Sequence, residues 1–493
     1  MTTSTLTPPR KSPARSTAHN RLLVVFIATI ASTGGLLFGF DTGVISGAIP
    51  YFQQRFQLGN DWIELITTAG LLGAVAGALS CGRIADVIGR RRVILAAALV
   101  FSIGAIWSGM APDARSLVAA RFFLGIAIGV SSFTVPLYIS EISPARTRGT
   151  LVSLFQLLIT IGIMVSYFSD SAFALPEGAP GYVECWRPMF YVGVIPALIM
   201  FTGMMFLPET PRWLMSKGRE EECRSVLMKV EDPVLISGVM ANMKEEIALD
   251  REDNVRWSEI FRPWLRAPLI IAVGIMFVQQ FTGINTIIYY SPKIFLMAGF
   301  DGARSAILAS LSVGVVNVLF TVLSLFLVDR IGRRRLYVTG VSGMVVALVA
   351  LSSCFVLQAE LGHAVRQITI ALVWIYCAFF SMSLGPLGWL IISEVFPLKV
   401  RGIGTSIGSL SCWLFNGVVA FTFFKIVRAL TFQGTDIVVR GENLGNPAGA
   451  FALYALVGVA GLLWGYFYIP ETRGRSLEHI EEHWRDGKSP RQL

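Results

Sequence analysis

Residues 86–92 read Asp-Val-Ile-Gly-Arg-Arg-Arg, and 243 residues later, at 329–335, the chain reads Asp-Arg-Ile-Gly-Arg-Arg-Arg. Two further pairs follow in the same order. Tyr-Ile-Ser-Glu-Ile-Ser-Pro-Ala-Arg-Thr-Arg-Gly at 138–149 returns as Ile-Ile-Ser-Glu-Val-Phe-Pro-Leu-Lys-Val-Arg-Gly at 391–402. Pro-Glu-Thr-Pro-Arg at 208–212 returns as Pro-Glu-Thr-Arg-Gly at 470–474. The offset drifts only from 243 to 262 residues, as unequal loops between similar elements would produce. The chain is therefore two like halves in tandem.

Outward from these segments lie apolar runs near 22–50, 62–82, 93–111, 115–138, 150–170, 187–207, 267–297, 304–328, 336–357, 367–393, 402–425 and 449–469. Each is long enough to cross a bilayer as a helix. The chain is 54% hydrophobic and 15% charged, a membrane composition rather than that of soluble domains. Six runs precede a charged stretch and six follow it in the same orientation. Parallel halves related by an axis along the membrane normal enclose a central cavity, the architecture of rocker-type carriers.

The expected fold is an all-α membrane protein with twelve transmembrane helices in two six-helix bundles, at 21–207 and 267–469. A cytoplasmic helical linker at 208–266 joins them. Residues 1–20 are expected as a disordered cytoplasmic tail and 470–493 as a cytoplasmic C-terminal tail.

The net charge of +9 would suggest a nucleic-acid partner in a soluble chain. Here the basic residues sit in short loops after even-numbered runs, as in Arg90–Arg92 and Arg333–Arg335, so they read as an orientation signal. Both termini then face the cytoplasm, and no nucleic acid is expected. The first apolar run lacks a clear cleavage site for a signal peptide. Six scattered cysteines without a CxxC motif read as reduced, packed thiols. His479 and His483, four apart in a polar tail, read as a solvated helix face. No nucleophile–base pair, metal cluster or phosphate-cradling loop points to an enzyme, a metal or a cofactor.

Chemistry concentrates in polar groups inside apolar runs, which lipid does not reward. Residues 279–290, Gln-Gln-Phe-Thr-Gly-Ile-Asn-Thr-Ile-Ile-Tyr-Tyr, carry Gln279, Gln280, Asn285, Tyr289 and Tyr290. At about 100° per residue these do not share one face. They converge only if the helix loosens, for which Gly283 is placed; broken helices line transporter sites. Glue between packed helices suits the same residues. Gln156, Asn317, Trp389 and Asn416 lie deep in other runs. Amides both donate and accept, as hydroxyl recognition requires, and an indole offers an apolar plate to a sugar ring. Gly385-Pro-Leu-Gly-Trp389 is a candidate hinge.

Asp41 in the first run and Arg121 in the fourth fall at matching depth, about 10 Å from one surface, so they can pair. Burial favours a neutral carboxyl and a neighbouring arginine a charged one. Asp41 can thus be a switchable proton site or half of a permanent ion pair. At the opposite face the repeats supply Asp86, Arg90, Glu141 and Arg148, then Asp329, Arg333, Glu394 and Arg401. These are expected to form a cytoplasmic latch of ion pairs, with Asp86 capping the next helix or pairing with an arginine.

Over nearly its whole length the sequence resembles the sugar porter family of the major facilitator superfamily. The resemblance rests on 82–92, 121–129, 136–149, 208–214, 279–290, 385–389 and 470–478, all in family order. Within it the bacterial galactose–proton symporters look closest, through Thr160-Ile-Gly-Ile and Ser169-Asp-Ser-Ala-Phe173. The resemblance implies sugar contacts from Gln156, Gln279, Gln280, Asn285, Asn317, Trp389 and Asn416, with Phe38, Tyr290, Gly385 and Trp413 nearby. It implies proton coupling through Asp41 and Arg121. Where many relatives carry an amide before Trp413, this chain has Cys412. The expected protein is a bacterial inner-membrane carrier working as a monomer. Its partners would be a monosaccharide, a proton and the bilayer. A facilitative sugar or polyol (pentose, inositol) uniporter and a non-transporting sugar sensor are the alternatives; the short tail counts against the sensor.

Overall fold

The computed structural model of the chain describes residues 18–144, 146–252, 257–397, 400–431, 435–439, 442–473, 475 and 477–493. Most of the expected N-terminal tail and the side chain of Asp329 lie outside the described residues, and residues 18–20 already belong to the first helix. Among the described residues, twelve helical spans are long and apolar enough to cross a membrane. Spans 1 to 6 cover Leu22–Phe56, Asn60–Ile88, Arg90–Met110, Ala114–Ile142, Arg148–Phe173 and Tyr182–Phe206. Spans 7 to 12 cover Pro263–Met297, Ala303–Val328, Arg333–Val356, Ala364–Val395, Arg401–Ala429 and Ala448–Tyr468. Between spans 6 and 7 lie the short helices Pro211–Ser216, Glu220–Val230, Ile236–Glu252 and Trp257–Phe261. A two-residue strand pair, Val438–Val439 with Glu442–Asn443, precedes span 12.

Small residues bring the spans together. A Cβ on Gly73 would lie 2.1 Å from the carbonyl of Phe122, and one on Gly125 would lie 2.0 Å from that of Gly70. Spans 2 and 4 therefore touch backbone to backbone, as small-residue interfaces in membranes do. Spans 7 and 10 are each broken near the middle. Span 7 stops at Phe281 and restarts at Ile284, with Gly283 at φ +89° between. Span 10 breaks at Ser383, two residues before the expected hinge at Gly385.

The repeated Asp-x-Ile-Gly-Arg-Arg-Arg segment now has a physical reading. Gly89 and Gly332 have φ of +99° and +94°, and a Cβ on either would press into Glu209 or Glu471 at 2.3 and 2.5 Å. Those acids, from the repeated Pro-Glu-Thr segment, are the helix caps. Glu209 accepts from the N–H groups of Arg90 (3.1 Å) and Arg91 (3.2 Å), and Glu471 from those of Arg333 (2.9 Å) and Arg334 (3.2 Å). Of the two roles expected for Asp86, capping the next helix or pairing with an arginine, it takes the second: it pairs with Arg90 at 2.9 Å and is largely exposed.

The charges expected to form the latch lie in the same region. Arg90 pairs with Glu141 at 3.1 Å, and Arg333 with Glu394 at 3.0 Å. Thr210 and Thr472 donate to those same glutamates at 2.6 and 2.5 Å. These pairs tie span 3 to span 4 and the linker in the first half, and span 9 to span 10 and the C-terminal tail in the second. Arg148 is exposed and Arg401 half-buried at the starts of spans 5 and 11. The solvated-face reading of the tail histidines holds for exposed His479 but not for His483. His483 is buried, with Nε2 at 2.9 Å from the Ser489 carbonyl, beside Trp484, whose indole donates to Val395 at 3.0 Å. The tail is anchored under span 10. All six cysteines are free and buried.

Burial raises the Glu209 carboxyl above the usual range, against the pull of the backbone donors of Thr210, Arg91 and Arg90. Glutamine keeps one carbonyl acceptor and sheds the desolvated charge, so Glu209→Gln should be tolerated. Glu209→Ala leaves the N–H groups of a buried helix start unpaired and should cost about 1–2 kcal/mol. Thermal unfolding in detergent separates the two; equal losses would show that capping is not what Glu209 contributes.

Candidate functional site

The halves meet at the end far from the termini. There Tyr167 donates to the carbonyl of Ile288 (2.8 Å), Lys293 donates to Asn60 (3.2 Å), and the hydroxyls of Ser46 and Ser291 lie 3.4 Å apart. Lys425 of span 11 pairs with fully buried Glu64 of span 2. Phe38 of span 1 meets Trp413 of span 11 with ring centroids 5.0 Å apart. Beneath this seam lies a pocket.

Phe38, Asp41, Gly70, Arg121, Tyr289 and Trp413 are among the residues that line it. Arg121 grips Asp41 with both guanidinium nitrogens, one at 2.9 Å from Oδ2, and both residues are buried. Glycine at 70 leaves room for the guanidinium, since a Cβ there would stand 3.1 Å from Nη2. The depth argument from sequence is met: the pair forms, and it borders a cavity rather than packed side chains.

The broken span 7 brings its amides together. Gln279 donates to the carbonyls of Leu384 (2.7 Å) and Gly385 (3.4 Å) in span 10. Gln280 donates to Gln279 at 3.0 Å, and Asn285, beyond the break, donates to Gln280 at 2.5 Å. Cys412 closes this chain, its sulfur 3.2 Å from the amide nitrogen of Gln280. Asn416 donates to the hydroxyl of Tyr289 at 3.3 Å, while its own buried Oδ1 has no partner. A buried amide oxygen left open costs free energy unless a ligand or water fills it.

The other expected residues divide. Asn317, in span 8, accepts from Ser381 of span 10 at 2.7 Å. Gln156 is half-buried in span 5, and the Trp389 ring is about one-third exposed. Tyr290 is corrected: it is fully buried in the seam, donating to the carbonyl of Ala420 at 2.9 Å and stacked on Phe423. It helps seal spans 7 and 11 rather than facing the cavity. Tyr289, its neighbour, lines the cavity instead. Sequence reasoning passed over Glu64 and Lys425, although a carboxylate among the apolar residues that open span 2 was a visible signal.

Two six-span halves around a polar cavity, sealed at one end only by side-chain contacts, define a membrane carrier of the major facilitator type. The family model described as "Sugar (and other) transporter" matches residues 27–484. The galactose-proton symporter of Escherichia coli K12 is 34% identical over 491 residues, covering 99% of both chains. The major myo-inositol transporter IolT of Bacillus subtilis is 36% identical over 464 residues, covering 93% of this chain and 94% of the relative. Among solved structures, the proton:xylose symporter XylE bound to 6-bromo-6-deoxy-D-glucose superposes with a TM-score of 0.77 at 30% identity. It covers 94% of this chain and 100% of XylE. The inward-open form of XylE from E. coli superposes with a TM-score of 0.76 at 28% identity, over 94% of this chain and 100% of that one. This chain belongs to the sugar porter family of the major facilitator superfamily and is a transporter, not an enzyme.

Proposed function

We propose that the chain imports a monosaccharide, a hexose such as galactose or glucose, by proton symport through alternating access. The observation that carries this reading is the Asp41–Arg121 pair on the wall of the cavity that Phe38 and Trp413 also line. A proton on Asp41 would loosen its hold on Arg121. Sugar hydroxyls would engage the amides of Gln279, Gln280, Asn285, Asn317 and Asn416, with Gln156 and Trp389 completing the site. Because Gln279 already binds the span 10 backbone, sugar binding there would draw spans 7 and 10 together. Both termini are read as cytoplasmic from the basic loops. On that orientation the sealed end faces outward, and the form described is inward-facing. A second reading, uptake of a polyol such as inositol, is favoured by the likeness to the myo-inositol transporter.

Counterflow uptake in proteoliposomes tests the substrate, using a panel of hexoses, pentoses and inositol with and without an inward proton gradient. Hexose counterflow that becomes accumulation when the gradient is imposed is the expected result. Inositol flux with no hexose flux would favour the polyol reading, and a gradient without effect would remove proton coupling.

A further inference from the structure

Glu64 does more at the sealed end than pair with a lysine. Its carboxylate accepts from the backbone N–H groups of Phe424 (2.8 Å) and Lys425 (3.3 Å) in span 11. In the continuous helix Arg401–Ala429 those two groups also face the carbonyls of residues 420 and 421. Both carbonyls accept from side chains as well: Ala420 takes the Tyr290 hydroxyl at 2.9 Å, and Phe421 takes the Lys425 ammonium at 3.0 Å. A side chain of one half thus shares backbone donors of an unbroken helix in the other.

We propose that Glu64 is a gate-positioning residue. It closes the outer end by sharing two backbone donors of span 11, and outward opening leaves them to Ala420 and Phe421. The two N–H groups keep an acceptor in either arrangement, and the carboxylate itself passes to water as the outer end opens. That balance resolves how a fully buried carboxylate can be parted from its partners without leaving unpaired groups in the membrane, which would be costly. Lys425, whose side chain is 45% exposed, leads from solvent to the buried acid and is the group that hydration can detach first.

The inference rests on the alternating-access reading, so the test must report that reading separately. Two single-cysteine probes serve, since the native cysteines are all buried. Thr68→Cys lies under the seam, where the native hydroxyl has no partner to lose. Thr405→Cys is half-buried in span 11 near the end that carries the termini. Each is labelled with a membrane-impermeant maleimide from its own side. Reciprocal changes in the two labelling rates on adding a transported sugar to otherwise wild-type protein report alternating access itself.

In Glu64→Gln and in Lys425→Met, without any sugar, labelling at residue 68 should rise about tenfold or more, equivalent to about 1.4 kcal/mol. Labelling at residue 405 should fall. An unchanged rate at residue 68 would overturn the proposal, as would a rise at both probes, which is general loosening. If Glu64→Gln does not fold, Lys425→Met decides alone, because its exposed side chain is dispensable for packing.

Discussion

Asp41→Asn is expected to abolish accumulation while sparing exchange. One proton moving with each sugar down 100 mV supplies about 2.3 kcal/mol, enough for an inside-to-outside ratio of about 50. Asparagine keeps the volume of Asp41 and an acceptor for Arg121, yet it cannot carry a proton on and off a carboxylate. The driven ratio should fall from about 50 to unity, while counterflow retains its half-saturation within about twofold. A concentrative Asp41→Asn transporter would refute the coupling role. Arg121→Leu should behave differently. It strands Asp41 as an unpaired acid in a buried site, and breaking such a pair costs about 3–5 kcal/mol. Loss of folded protein is expected there, so Asp41→Asn is the variant that isolates coupling from stability.

What could be read from sequence follows from where the physics is local. The twelve spans needed only hydropathy and length, and their order needed only the three repeated segments. The Asp41–Arg121 pair was accessible because depth in a bilayer converts residue count into distance. The break at Gly283 was accessible because Gln279, Gln280 and Asn285 do not share a face of one unbroken helix. The functions of the repeated charges were not accessible in the same way. Glu141 and Arg90 recur together in both halves, but recurrence cannot say whether a pair closes within a half or across it. The structure shows Arg90 with Glu141 and Arg333 with Glu394, beside the caps Glu209 and Glu471, whose places depend on the paths of a linker and a tail with no periodic signal. Tyr289 and Tyr290 show the same limit on a smaller scale. Adjacent on one helix, they differ by about 100°, and the tilt of the second half of span 7 puts one in the cavity and the other in the seam. Glu64 escaped notice because its partners are backbone N–H groups of a helix, which hydropathy cannot show.

The chain of amides from Asn285 through Gln280 and Gln279 to span 10 predicts a loss of sugar binding from a substitution that removes no polar group. Gly388 faces Gln279, and a Cβ there would stand 2.6 Å from its amide nitrogen. The far end of a side chain can move, so Gly388→Ala should leave the fold intact. The movement, however, must break the bonds to Leu384 and Gly385 and turn the amide that orients Gln280. Gln280→Leu attacks the same chain directly, leaving Gln279 Oε1 and Asn285 Nδ2 without their partner. A site built to bind hydroxyls loses heavily when its polar groups are misplaced, because each misplaced group is desolvated and unpaired. Two lost hydrogen bonds of about 1.4 kcal/mol each weaken binding about 100-fold. Both variants should therefore raise the half-saturation for sugar about 100-fold, with Gly388→Ala still folded in detergent. The control is Asn317→Ala, which lies outside this chain and removes one bond to Ser381; about tenfold is expected. If Gly388→Ala binds sugar as tightly as wild type, the amides of span 7 hold helices together and the sugar is recognised elsewhere. If it loses binding while Gln280→Leu does not, Gln279 alone is the recognition group and the relay through Asn285 is structural.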